Sequence, residues 1–141
     1  MVSMIPTTKI LLFDTTVFID YLRGKDVARG LMNPVIDKQR EAAISVISDF
    51  ELWCGVKDIK DEKRHKLLIW NFRRFQLNST IARHAGELAR PFFKEKNKSI
   101  GMSDFLIAAT AEYYEADILT RNPKHFNAIP LDGVHIFEYS I

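Results

Sequence analysis

Lys9–Gly24 reads K-I-L-L-F-D-T-T-V-F-I-D-Y-L-R-G. Its first half, Lys9 to Phe13, is a short unbroken apolar run, the pattern of a strand buried on both faces of a parallel sheet. Asp14 ends that run. Thr15 or Thr16 then caps a helix with Phe18, Tyr21 and Leu22 on one face, and Gly24 stops it. A buried strand passing straight into a helix is the opening of an α/β unit, and the rest of the chain repeats the theme.

Ala42 to Ile47 (A-A-I-S-V-I) is a second buried strand, and Ser48-Asp49-Phe50-Glu51 starts the helix after it. Between these units, Pro34 is expected to open a short helix after a break at Asn33. Asp61 to Phe75 reads as a helix, basic on one side with Leu68, Phe72 and Phe75 on the other, and Gln76 to Asn78 as a brief strand. Ser79 caps a long helix in which Pro91 is expected to make a kink. Ser103 caps the most apolar helix, F-L-I-A-A-T-A, which belongs in the centre of the fold. Asp117 to Thr120 is a strand, Arg121 to Asn127 a loop, and Val134 to Phe137 a last strand. Strands alternating with helices imply crossover connections, hence a mostly parallel sheet with helices on both faces.

The chain of 141 residues fits one domain, 1–141, and its 47% hydrophobic content is enough to build a core rather than a disordered coil. The net charge of +2 permits a nucleic-acid partner without demanding one. The lone Cys54 excludes an intrachain disulfide and reads as a small core residue. The N-terminus has no apolar run of signal-peptide length, and no segment approaches the ~20 apolar residues that cross a bilayer, so a cytoplasmic protein without membrane association is expected.

Asp14, Glu51 and Asp104 each stand where a strand or loop meets a helix start, and Asn122 follows another strand. In an α/β sheet the carboxyl ends of the strands form the ligand crevice. Each residue has a plainer reading. Ser48-x-x-Glu51 matches a capping box, which on local sequence is the favoured role of Glu51. Asp104 would gain from the dipole of its helix, and Asp14 could be an N-cap. Yet two carboxylates ~5 Å apart repel by roughly 3 kcal/mol at an effective dielectric near 20, so a cluster of three calls for protons, basic partners or a metal. Asp20 and Asp117 read as structural, the latter at the opposite edge. The four histidines lack metal-ligand spacing and read mostly as surface residues. No Gly-rich phosphate loop and no Ser, Cys and His nucleophile set is present.

Oxygen donors alone suit a hard cation, Mg2+ or Mn2+, and the natural chemistry is phosphodiester hydrolysis. In that reading Asp14 and Asp104 hold the metal directly, and Glu51 acts through water. A phosphorylated-aspartate enzyme is the poorer fit, because Asp14-Thr15-Thr16 lacks the second acid such sites use.

D-T-T-V-F-I-D-Y-L-R-G, I-S-V-I-S-D-F-E-L-W-C-G, S-D-F-L-I-A-A-T-A and D-I-L-T-R-N-P-K-H-F together resemble, in order and spacing, the blocks of PIN-domain ribonucleases, in particular the VapC-type toxins of toxin–antitoxin pairs. The resemblance implies a three-layer α/β/α domain, a metal-dependent endoribonuclease acting on RNA, a homodimer and a cognate antitoxin. It places the family's acidic positions on Asp14, Glu51 and Asp104, and small polar positions on Thr15 and Ser45. Asn122 stands where many relatives have an Asp after T-R, and His125 where others have an Asp before Phe. Helices near Trp53, Trp70 and Phe72 correspond to an antitoxin groove, although core packing is the expectation for Phe72. Arg23, Arg73, Arg74 and Lys124 are candidates for RNA phosphates. A PIN-like binding module without catalysis, and a housekeeping RNA-processing nuclease, are the competing expectations.

Overall fold

A computed structural model describes residues 5–141; the segment Met1–Met4, part of the signal-peptide reading, lies outside the described residues. The strands are β1 (Leu11–Phe13), β2 (Ala42–Ser45), β3 (Arg73–Phe75), β4 (Asp117–Thr120) and β5 (Ile136–Glu138). They form one sheet in the order β3-β2-β1-β4-β5, every neighbouring pair parallel. The helices are α1 (Thr15–Leu22), α2 (Asp26–Ile36), α3 (Val46–Cys54), α4 (Ile59–Ile69), α5 (Ser79–Lys94), α6 (Met102–Tyr113) and α7 (Pro123–Asn127).

Alternation along the inner strands sends side chains to two cores. Leu12, Ala43 and Ile118 pack with Ile81, Ala85 and Phe105 of α5 and α6. Leu11, Phe13, Ile44 and Leu119 face Phe18, Leu31, Met32 and Leu68 of α1, α2 and α4. Helices therefore cover both faces, which is why β1, β2 and β4 are buried throughout and carry no alternating polar residues. In the second core Phe72 meets Phe13 and Phe18 edge to face, at 5.2 and 4.7 Å between ring centres. Each fully buried ring contributes ~1.5–3 kcal/mol.

Several local expectations are corrected by tertiary contacts. Helix α2 runs unbroken through Pro34, because Leu31, Met32 and Val35 anchor its last turns in the core and outweigh one lost hydrogen bond. Helix α4 starts earlier than Asp61, capped by Asp58 accepting from the Asp61 amide, and ends at Ile69. The strand expected over Gln76 to Asn78 is instead Arg73–Phe75, an edge strand whose exposed arginines read in sequence as the basic side of a helix. Asn78, not Ser79, caps α5 by accepting from the Ile81 amide. Gly101, not Ser103, is the N-cap of α6. Pro123 starts a one-turn helix inside the expected loop, and β5 begins at Ile136 rather than Val134. Cys54 is exposed at the end of α3, not buried. Gly24, with φ of +77°, does close α1, its amide bonded to the Tyr21 carbonyl.

The strand order creates the site. From β1 the chain moves outward to β2 and β3, then returns across the sheet to β4 and β5 on the other side. The order reverses between β1 and β4, where α/β sheets open a crevice at the carboxyl ends. Phe13 is in register with Leu119, so Asp14 emerges beside Thr120.

Candidate active site

Asp14 leaves β1 with its amide bonded to the Leu119 carbonyl at 2.9 Å, which ties it to the end of β4. It occupies the N-cap position of α1 but makes no side-chain cap. Instead its Oδ2 accepts the Thr120 hydroxyl at 2.8 Å and the Thr16 hydroxyl at 3.1 Å. Both hydroxyls are oriented from behind by the loop after β4. Thr120 accepts the Asn122 amide at 3.0 Å, and Thr16 the Arg121 amide at 3.4 Å. Asp14 is 5% exposed. Burial pushes its carboxyl above the usual range; the Thr120, Thr16 and Thr15 hydrogen bonds pull it down, and the charge of Asp104 adds to the rise.

Glu51 does not make a capping box with Ser48. Helix α3 begins earlier than expected, with Ser45 as its N-cap accepting from the Ile47 amide at 3.1 Å. That shift puts Glu51 inside the helix and turns its carboxylate toward α1 and α6. Oε1 takes the Thr15 hydroxyl at 2.7 Å and Oε2 the Ser103 hydroxyl at 3.1 Å. A carboxylate only accepts, so Thr15 gives its proton to Glu51 and accepts from Ser48, 2.7 Å away and fully buried. Ser45 serves the helix end and not the acids.

Asp104 lies in the first turn of α6, next to Ser103. Its Oδ2 stands 3.0 Å from His125 Nδ1 and 3.4 Å from the Gly101 amide. Glu51 is thus bridged to the neighbours of the other two acids, Thr15 beside Asp14 and Ser103 beside Asp104. Asn122 joins the site through its backbone amide, and its side chain is exposed.

In sequence Thr16 and Ser103 read as helix caps and His125 as a departure from the family's acidic pattern, and Thr120 had no role beyond its strand. Thr120 and His125 had a legible signal, since one ends and the other follows a buried strand at the same edge as Asp14. Nor are the histidines mostly surface groups: His65 is buried against the Asp61 carbonyl, and His84 lies between Glu87 and Glu112. Asp20 is structural as expected, 1% exposed, accepting Arg121 Nε at 2.8 Å and the Tyr139 hydroxyl at 2.7 Å. Asp117 sits at the far edge, accepting the His135 amide and the Thr7 hydroxyl. Arg73 and Arg74 pair with Glu41 and Asp49. Arg23 and Lys57 instead line a groove of about 250 Å³ with Ile19, Leu22 and Leu52, and Glu51 is at its wall. Phe72 is core, whereas Trp53 and Trp70 are exposed.

Among the described residues no three His, Cys, Asp or Glu side chains already close into a metal cage. The donor chemistry nevertheless fits a hard cation. Asp14 and Asp104 raise one another's energy, and no Lys or Arg bonds to Asp14, Glu51 or Asp104 among the described residues. Mg2+ is ordinarily held by one or two carboxylates and several waters, so a closed protein cage is not required.

The PIN domain family model matches residues 11–130 of the chain. Ribonuclease VapC19 of Mycobacterium tuberculosis is 36% identical over 122 residues, spanning 84% of this chain and 94% of that protein. Ribonuclease VapC of Rickettsia bellii is 31% identical over 126 residues, 85% and 90% of the two chains. Among solved structures, VapBC2 from Rickettsia felis, bound to a DNA fragment from its promoter, superposes with a TM-score of 0.73 at 25% identity. That match covers 93% of this chain and 99% of the other.

Proposed function

The chain belongs to the PIN-domain family, and from that premise we propose that it is a metal-dependent endoribonuclease, the toxin of a toxin–antitoxin pair. The observation that carries this reading is the uncompensated charge at the sheet edge. Carboxylates from three separate elements meet hydroxyl and imidazole donors there, and among the described residues no Lys or Arg pairs with them.

In this reading Asp14 and Asp104 hold Mg2+ or Mn2+, and Glu51 acts through water. The cation supplies positive charge that acidifies a water and offsets the charge developing on the scissile phosphate. The protein's own work is positional. Thr16 and Thr120 fix one oxygen of Asp14, so the carboxylate meets its ligand without rotating. Thr15 and Ser103 hold Glu51 by one hydroxyl on each oxygen, which fixes the orientation in which it would accept from a water. Asn122 contributes its amide to the Thr120 hydroxyl, and its exposed side chain is available to the RNA. Arg23 and Lys124 are cations for the RNA backbone.

The cognate antitoxin fits the groove between α1, α3 and α4. Ile19, Leu22 and Leu52 offer an apolar floor beside Glu51, so an occupant of that groove would cover the approach to the acids. The reading takes residues 1–141 as one nuclease domain, working as a homodimer in the cytoplasm. No helix among the described residues is long and apolar enough to cross a membrane.

Cleavage of labelled single-stranded RNA in Mg2+ or Mn2+, beside EDTA and an Asp104→Asn variant, tests the proposal. Cleavage that disappears in both controls is the expected result. Cleavage that survives EDTA refutes metal dependence, and metal binding with no cleavage of any RNA would leave a binding module.

A further inference from the structure

The resemblance puts His125 where other members of the family have an Asp before Phe, and its geometry gives it a different task. It follows β4 on α7, at the same sheet edge as Asp14. Its backbone is held in place by Phe126, which is 1% exposed within the α5–α6 core. The His125 ring is partly open, 38% exposed, and its Nδ1 lies 3.0 Å from Asp104 Oδ2. A carboxylate accepts and does not donate, so Nδ1 carries the hydrogen.

Asp104 Oδ2 meets two donors at once. As the third residue of α6, Asp104 reaches back to the Gly101 amide as a helix cap does. That contact is long, 3.4 Å, whereas the imidazole contact is 3.0 Å. The imidazole is therefore the closer of the two donors on that oxygen. Asp14 is treated in the same manner, its Oδ2 taken by two hydroxyls. In each acid the side-chain donors fall on Oδ2, and among the described residues none falls on Oδ1.

Resting on the metal-site reading above, we propose that His125 is a positioning residue that fixes Asp104 as a one-oxygen metal ligand through Oδ1. It acts through Asp104 and does not touch the RNA. Where a further acid would add a ligand, this chain has instead a donor that orients an existing one. Donors that orient metal ligands typically change metal affinity by ~10–100-fold when removed.

The test is calorimetric titration of Mn2+ into the wild type and the variants His125→Ala, His125→Asn and Asp104→Asn, with RNA cleavage measured across Mn2+ concentrations. Asparagine presents an amide N–H near the place of Nδ1. Expected are Mn2+ binding weakened ~10–100-fold in His125→Ala, recovery in His125→Asn, and cleavage by His125→Ala that returns toward wild type at saturating Mn2+. Melting in EDTA should be nearly unchanged in His125→Ala, because Asp104 keeps its contact with the Gly101 amide. Wild-type Mn2+ affinity in His125→Ala overturns the inference and leaves the nuclease reading intact. A cleavage defect that persists at saturating Mn2+ also overturns it, since His125 would then act on the substrate. Failure of the wild type itself to bind Mn2+ sinks both.

Discussion

Replacing Thr120 with valine keeps the side chain's shape at a position with no solvent exposure and deletes one hydroxyl. That hydroxyl donates to Asp14 Oδ2 at 2.8 Å and accepts the Asn122 amide at 3.0 Å. Asn122 is exposed, so its amide can turn to water at little cost. The loss falls on Asp14, which is buried and keeps only the Thr16 hydroxyl on that oxygen. A hydrogen bond to a charged group contributes about 1.5–3 kcal/mol. For a chain of this size that corresponds to a fall in Tm of roughly 5–9 °C at neutral pH.

The pH dependence separates this cause from general damage. Burial already raises the Asp14 carboxyl, so its contribution to stability is full below the unfolded pKa, ~3.9, and is lost as pH rises through the folded pKa. The Thr120 hydroxyl opposes that rise, and without it the folded pKa climbs further. The difference between the two proteins should therefore be small at about pH 4 and widen as pH rises through the folded pKa. Thermal melts followed by circular dichroism across that range, repeated in an Asp14→Asn background, form a double-mutant cycle. In that background the cost should shrink to the ~0.5–1.5 kcal/mol of a neutral hydrogen bond. An equal loss at all pH values, or in both backgrounds, would refute the argument that Thr120 acts through the Asp14 charge.

Asp14→Asn should raise Tm in EDTA at neutral pH while abolishing cleavage and the Mn2+-induced rise in Tm, because it removes a buried charge facing Asp104; a lower Tm in differential scanning calorimetry would contradict this. Thr15→Val should lower kcat about 10-fold or more with little change in KM, since Glu51 loses its 2.7 Å donor; an unchanged kcat would count against Glu51 acting in the chemistry. Tyr139 is pushed well above the ordinary phenol range by burial and by its bond to Asp20. Its share of stability is present below pH ~10 and lost as pH rises through the higher folded value. Ultraviolet titration should accordingly show one of the four tyrosines resisting ionisation until the protein unfolds, and Tyr139→Phe should remove that component.

The acids were legible because each interrupts a pattern. Asp14 ends an apolar run, Asp104 is the first charge on an otherwise apolar helix, and Glu51 follows a buried strand. Their partners were not legible. Thr16 and Thr120 are small polar residues of a kind found at many helix starts and strand ends. Their meaning lies in pairings across more than a hundred residues of sequence, Thr120 with Asp14 and Arg121 with Thr16. Element limits failed for a related reason. Pro34 and the Arg73–Arg74 pair are read wrongly by local propensity, and core contacts or sheet pairing overrule it.

Periodicity and apolar runs were enough to dictate a parallel α/β sheet with two helical layers, because burial on both faces leaves its mark on every inner strand. The same runs showed which acids lay at the strand ends. The roles of those acids were decided elsewhere. Whether Ser48 or Ser45 begins α3 changes Glu51 from a helix cap into a group facing Thr15 and Ser103. Asp104 reaches the Gly101 amide from its own helix, but it also meets His125 because the return across the sheet sets α7 against α6. Such choices differ locally by about one hydrogen bond, so neighbouring residues cannot settle them and distant packing does.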